Sequence, residues 1–226
     1  MTPARFKSEK GCLPRCRLRC AGAFLVFGLA ASSLFGQTPP GGAEVVGVVG
    51  TAMSSTADNA SLPLKPGDRL ATGMTLKTGP GSAVDVSLGP RAGIVRLAEN
   101  TTVLMEQLVT GATSPDIPVQ IKLHLGEGTL VGFNNRLTLA AKYEVKTAAA
   151  IVAVGAGEFR VDSRGRVVVL GGTALVAYVP PGGEPVLHTL KAPPAAYFAP
   201  LEGVRRAPKS LEQEVRAQCK PKLRSR

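Results

Sequence analysis

Apolar and polar residues alternate along two stretches of the chain, and the alternation predicts strands. In Ala83–Leu88, Val84, Val86 and Leu88 share one face, because successive side chains of a strand point to opposite sides. In Val119–Leu125, Val119, Ile121, Leu123 and Leu125 turn inward, and Gln120, Lys122 and His124 outward. Val167-Val-Val-Leu170 is apolar without a break, the pattern of a strand covered on both faces. Ser163–Arg166 reads as the hairpin turn between that strand and Phe159-Arg-Val161. From Glu44 onwards, short apolar runs are punctuated by Gly, Pro, Asn and Asp, the signature of many short strands. The expected class is all-β, a sandwich-like or wrapped sheet, with a Pro-rich stretch from Pro180 to Pro200 near its end.

One segment has helical spacing. In Pro208–Cys219, Leu211, Val215 and Cys219 recur every four residues, Ser210 is a candidate N-cap, and Glu212 and Glu214 fall in the first turn. The apolar set is narrow, and a single short helix is marginal in water. The tail is therefore expected to be disordered when free.

Glycines mark the turns. Gly67-Asp-Arg-Leu70 is echoed by Gly73-Met-Thr-Leu76, which predicts two successive turns wrapping a small β-layer. Asp68 is expected to hold the first through its carboxylate, bonded to the backbone two residues on. Gly155-Ala-Gly157 has no third glycine and runs into Glu158-Phe-Arg-Val161. It is read as a tight strand-to-strand passage, because no helix start is present to hold a dinucleotide phosphate. With 4% aromatics and no Trp, the core must be built from Val, Leu, Ile and Ala.

The net charge of +11 is unevenly placed. Residues 1–20 carry Arg5, Lys7, Lys10, Arg15, Arg17 and Arg19 against Glu9. Residues 205–226 carry Arg205, Arg206, Lys209, Arg216, Lys220, Lys222, Arg224 and Arg226 against Glu212 and Glu214. These excesses of five and six account for the whole +11, so residues 21–204 are electrically balanced. That excludes a whole-domain basic footprint, and no nucleic acid is expected. The basic start, the 15-residue apolar run Ala21–Phe35 and the Pro/Gly break that follows predict an export signal over residues 1–36. Cleavage is expected after Ser33 or Gly36, with a linker over 37–43. Cys12, Cys16 and Cys20 would leave with the signal, so the mature chain would hold Cys219 alone and no internal disulfide.

Catalytic and metal-binding patterns are absent from the sequence. His124 and His188 stand without nearby Cys or clustered carboxylates, which does not make a zinc site. No nucleophile elbow or phosphate loop occurs. Neither a catalytic residue, a metal nor a cofactor is expected.

A family resemblance rests on ordered turns and strands. Leu64-Lys-Pro-Gly-Asp-Arg-Leu-Ala-Thr-Gly-Met-Thr-Leu-Lys-Thr-Gly79 is followed by the strands Ser82–Leu88 and Ile94–Val103. Gly126-Glu-Gly-Thr-Leu130, Tyr143-Glu-Val-Lys-Thr147, Val154–Val161 and Val167–Val176 continue the series. Over roughly Ala43 to Val179 the chain resembles a FecR-type domain, with Gly67, Asp68, Gly73, Gly79, Gly155 and Gly157 at its structural turns. Ala156-Gly157 stands where the family usually has Gly-Thr. The domain is expected to span 44–204, followed by the basic tail 205–226.

The resemblance implies an exported, non-enzymatic sensory or binding module in the periplasm or cell envelope of a bacterium. Regulators of the family commonly carry a cytosolic anti-sigma segment and a membrane helix ahead of this domain. About twenty residues precede the apolar run here, too few for a folded cytosolic domain, so direct anti-sigma activity is not expected. The partner would be an envelope protein or polymer. The alternative is a structural envelope protein whose basic tail holds an anionic membrane or polymer surface, at roughly 1 kcal/mol per nearby basic residue. A tail that merely solubilises remains the bland reading. On the tethering reading, truncation after Val204 is expected to abolish retention on anionic surfaces at low salt and to leave thermal stability nearly unchanged.

Overall fold

The computed structural model of the chain describes residues 42–57, 59–110, 118–134, 137–138, 140–193 and 195–219. The expected export signal over 1–36, cysteines 12, 16 and 20, most of the 37–43 linker, and Lys220, Lys222, Arg224 and Arg226 lie outside them. Ala43, placed in the linker from the sequence, instead opens the first strand and is fully buried.

The strands in chain order are β1 (Ala43–Val49), β2 (Ala52–Thr56), β3 (Asn59–Pro63), β4 (Arg69–Leu70), β5 (Thr75–Thr78) and β6 (Ala83–Ser87). Next come β7 (Ile94–Leu97), β8 (Thr102–Val109), β9 (Gln120–Glu127), β10 (Thr129–Asn134), β11 (Lys142–Lys146) and β12 (Ala150–Val154). The last are β13 (Gly157–Asp162), β14 (Val167–Val169), β15 (Gly172–Tyr178), β16 (Val186–Ala192), β17 (Ala196–Ala199) and β18 (Gly203–Arg206), before helix α1 (Lys209–Cys219).

These strands form two nine-stranded sheets, and the chain passes back and forth between them. The first has the order β18-β17-β14-β13-β10-β7-β6-β1-β4, the second β16-β15-β12-β11-β9-β8-β5-β2-β3. Single strands and hairpins alternate sides, so the chain wraps a core lying between two layers. Val84, Val86 and Leu88 of the first sheet and Ile121, Leu123 and Leu125 of the second are fully buried in it. β9 and β11 run parallel, in register from Gln120↔Lys142 to His124↔Lys146. Parallel neighbours need a crossover, and here β10 in the opposite sheet provides it.

The two echoed turns wrap as expected. Gly67 (φ 93°) leads into β4 of the first sheet and Gly73 (φ 87°) into β5 of the second. The Asp68 bond runs the other way from the one expected: its carboxylate accepts the Lys65 backbone N–H at 2.7 Å, closing the turn backwards. The Pro-rich stretch also differs from its sequence appearance. β16 and β17 form within it, because its prolines fall outside the strand interiors, where none removes a ladder N–H.

Helix α1 corrects the expectation of a disordered tail. Val215 is fully buried in a second apolar cluster with Val131, Val168, Leu170, Tyr197 and Ala199, and Leu211 and Cys219 pack at its margin. The helix thus lies on the outer face of the first sheet. This explains the unbroken apolar run of β14: Val167 and Val169 face the inter-sheet core, and Val168 and Leu170 face the helix. Arg160 reaches Glu214 at 2.7 Å. Arg96, paired with Asp85 at 2.6 Å, also donates to the Gln218 carbonyl at 3.3 Å, a cation at the negative end of the helix. Ser210 is not the cap. The first helical bond runs from Glu212 N–H to the Pro208 carbonyl at 3.0 Å, which places Ser210 inside the first turn.

Candidate functional site

The outer faces of the two sheets differ in what covers them. α1 lies on the first. On the second, aligned residues of neighbouring strands form rows. One row runs Leu104, His124, Lys146, Ile151, Ala177 and Leu187, from β8 to β16. The next runs Gln107, Lys122, Glu144, Ala153, Leu175 and Thr189.

Both rows change character midway. Over β9 and β11 they are polar, with Lys122 and Glu144 at 4.0 Å and His124 and Glu106 at 3.5 Å. Over β12, β15 and β16 they become apolar and open: Leu187 is 65% exposed, Ile151 46% and Leu175 42%. A groove of about 310 Å³ follows β12 over the small residues Ala153 and Gly155, with Lys142 and Glu144 on one side and Leu175 and Thr189 on the other. These three apolar side chains and the groove beside them form the candidate site.

The turn residues read from the sequence have structural tasks. Gly79 comes so close to Thr51 that a Cβ would lie 2.5 Å from its hydroxyl oxygen. Gly155 and Gly157 carry the chain from β12 in the second sheet to β13 in the first, the strand-to-strand passage expected. Gly157 has φ 141°, and a Cβ there would lie 1.8 Å from the Gly171 carbonyl oxygen, where the return passage to β15 packs against it. Gly157→Ala is expected to cost about 3 kcal/mol, from the disfavoured backbone and displacement of the facing chain. Chemical denaturation checks this, and an unchanged midpoint would refute the contact.

Buried threonines hold corners, a task that the motifs containing Thr78 and Thr147 did not reveal. Thr101 N–H donates to the Thr78 hydroxyl at 2.9 Å, and Ala150 N–H to the Thr147 hydroxyl at 3.0 Å. Such bonds satisfy backbone groups that turn away from both ladders, which only the three-dimensional path reveals.

Of the tail's basic residues, Arg205 pairs with Glu202 at 2.7 Å and stacks 4.8 Å from the Tyr197 ring centroid. Arg216 pairs with Glu212 at 2.9 Å within the helix. Arg206 and Lys209 are exposed. The described part of the tail is thus partly neutralised and folded onto the domain.

Cys219 sits half-buried beneath the helix end, its thiol 4.0 Å from the Gly132 carbonyl oxygen. Burial, with Glu158 nearby, pushes the thiol from 9.0 up to about 12, against the pull of Arg216 and Arg96. A folded value above the unfolded one favours the neutral thiol. Its contribution to helix docking is complete below about pH 9 and is lost as pH rises towards 12. Iodoacetamide at pH 8 should label the Cys219 peptide at least about a hundredfold more slowly in the folded chain than in urea. Comparable rates would mean that the helix end is undocked.

Among the described residues no group of three or more His, Cys, Asp or Glu is placed to hold a metal, and no helix is long and apolar enough to cross a membrane. Residues 74–175, just under half of the chain, match the family model described as FecR protein. That span runs from the turn before β5 into β15 and includes the groove over β12 except for its Thr189 side. No curated protein and no solved structure matches the chain.

Proposed function

We propose that this chain, whose residues 74–175 match the FecR protein family model, is an exported, non-enzymatic sensory or binding module of the bacterial envelope, as befits a family of envelope-associated regulators and sensors. Its partner is a protein, bound on the outer face of the second sheet. The observation that carries this reading is the apolar half of that face, from Ile151 through Leu175 to Leu187; on the opposite sheet, α1 covers only part of the outer face. The mechanism is surface recognition, with binding driven by burial of these side chains.

A photo-crosslinking residue at Leu175 should capture an envelope protein in intact cells, and the same residue at exposed Glu202, on the other sheet's side, should not. No adduct at Leu175, or equal adducts at both positions, would defeat the reading. Export has its own test. Amino-terminal sequencing of envelope-recovered protein should find a start near residue 34 or 37, and an intact Met1 on a cytosolic species would contradict it.

The tethering alternative rests on Arg206, Lys209 and the basic residues beyond 219. If it holds, retention on anionic vesicles fades with added salt as the charges are screened. Salt-independent retention would assign binding to the domain instead.

A further inference from the structure

Each sheet ends in two edge strands, and an edge leaves backbone N–H and C=O groups open to pairing with another chain. Three of these four edges are blunted. β4 has two residues. β3 ends in Pro63 and meets β2 in an irregular register. β18 is four residues long and carries Arg205 and Arg206 side by side.

β16 is longer and more regular than these. It has seven residues, contains no proline, and pairs with β15 in unbroken register from Gly172↔Ala192 to Tyr178↔Val186. Its other side has no partner strand among the described residues. Leu187, Thr189 and Lys191 share its outer face, aligned with Ala177, Leu175 and Thr173 of β15. Leu187 therefore ends the apolar row that begins at Ile151. Lys191 is exposed and enters none of the ion pairs of the described residues.

We infer that β16 accepts an extended segment of the partner as a further strand, with an apolar residue beside Leu187 and an acidic residue beside Lys191. The inference rests on the proposed binding role and names the partner's chemistry. Main-chain bonds along the open edge supply attraction, and the two cross-strand contacts supply selectivity. Leu187 and Lys191 stand four residues apart on one face, so the partner presents its apolar and acidic residues at the same spacing. A second copy of this chain fits less well, because antiparallel pairing of two β16 strands about Thr189 sets Leu187 against Lys191 twice.

The test uses the full chain and the labelled peptide acetyl-Thr-Thr-Glu-Thr-Ser-Thr-Val-Thr-Thr-amide, followed by fluorescence anisotropy. Binding is expected, together with slowed amide exchange over residues 186–192. Lys191→Glu should weaken binding roughly tenfold, and a peptide with Lys in place of its Glu should recover the affinity for that variant. Lys191 is exposed, so equal thermal melting of the two proteins separates lost recognition from lost structure. No peptide binding, protection confined to other strands, or indifference to the charge swap overturns the inference. So does sedimentation showing that the chain dimerises and that Leu187→Lys dissolves the dimer. If Leu175 still crosslinks an envelope protein while the peptide fails, the binding role stands and edge pairing falls; if both fail, both fall.

Discussion

Val86→Asp is expected to unfold the domain or to leave it severely destabilised, whereas Ser87→Asp next to it is nearly silent. Val86 is fully buried between the sheets, in register with Val45 of β1 and Val95 of β7, themselves buried. An aspartate there loses the burial of the valine, about 2 kcal/mol. It also places a carboxyl among side chains that offer no hydrogen bond, which costs several kcal/mol more even when it is protonated. Together these approach the whole stability of an ordinary domain, roughly 5–15 kcal/mol. Ser87 points to the other side and is half-exposed, in register with Glu44. A carboxylate there meets a like charge in water, worth roughly 0.2–1 kcal/mol. Urea unfolding of both variants decides the matter, and equal losses would mean that the faces of β6 are reversed.

Truncation after Val204, expected from the sequence to leave stability nearly unchanged, should instead cost about 5 kcal/mol and lower the melting temperature by about 15 °C, because the helix is docked. The cut removes Val215 from its buried place and uncovers Val131, Val168, Leu170 and Tyr197 on the outer face of the first sheet. It also strips Arg96 and Arg160 of their helix partners. The full-length variant Val215→Asp should reproduce most of this loss while keeping every basic residue of the tail. A truncated chain that melts with the intact one would show that the helix is not docked in solution. Because the cut also removes basic residues, Val215→Asp is the cleaner comparison wherever surface binding is measured.

These two expectations differ in how far the sequence anticipates them. The faces of β6 and β9 are legible from alternation alone, because a strand buried on one side must repeat every two residues. The passage at Gly155–Gly157 and the wrapping turns at Gly67 and Gly73 are legible too, since few residues other than glycine turn a chain so tightly. The helix at 209–219 is legible as a helix, but its fate is not. Three apolar residues on a short helix are too few to hold it alone, and the surface that completes it comes from β10, β14 and β17, remote in the chain. The hint was in β14, whose unbroken Val167–Leu170 requires cover on both faces. Nothing in that run says that the cover is the tail.

The candidate site divides in the same way. Local periodicity determines which side chains of each strand point outward, among them Lys122 and His124. It does not determine which strands become neighbours, because pairing is a non-local choice made by the whole core. Only that choice sets Ile151 beside Ala177 and Leu187, opens a groove over Ala153 and Gly155, and leaves β16 at an edge. The sequence by itself determined the all-β class, the inward faces and the glycine corners, each a property of a few adjacent residues. The tertiary structure decided the docked tail and the exposed apolar face, since burial is a relation between segments far apart in the chain.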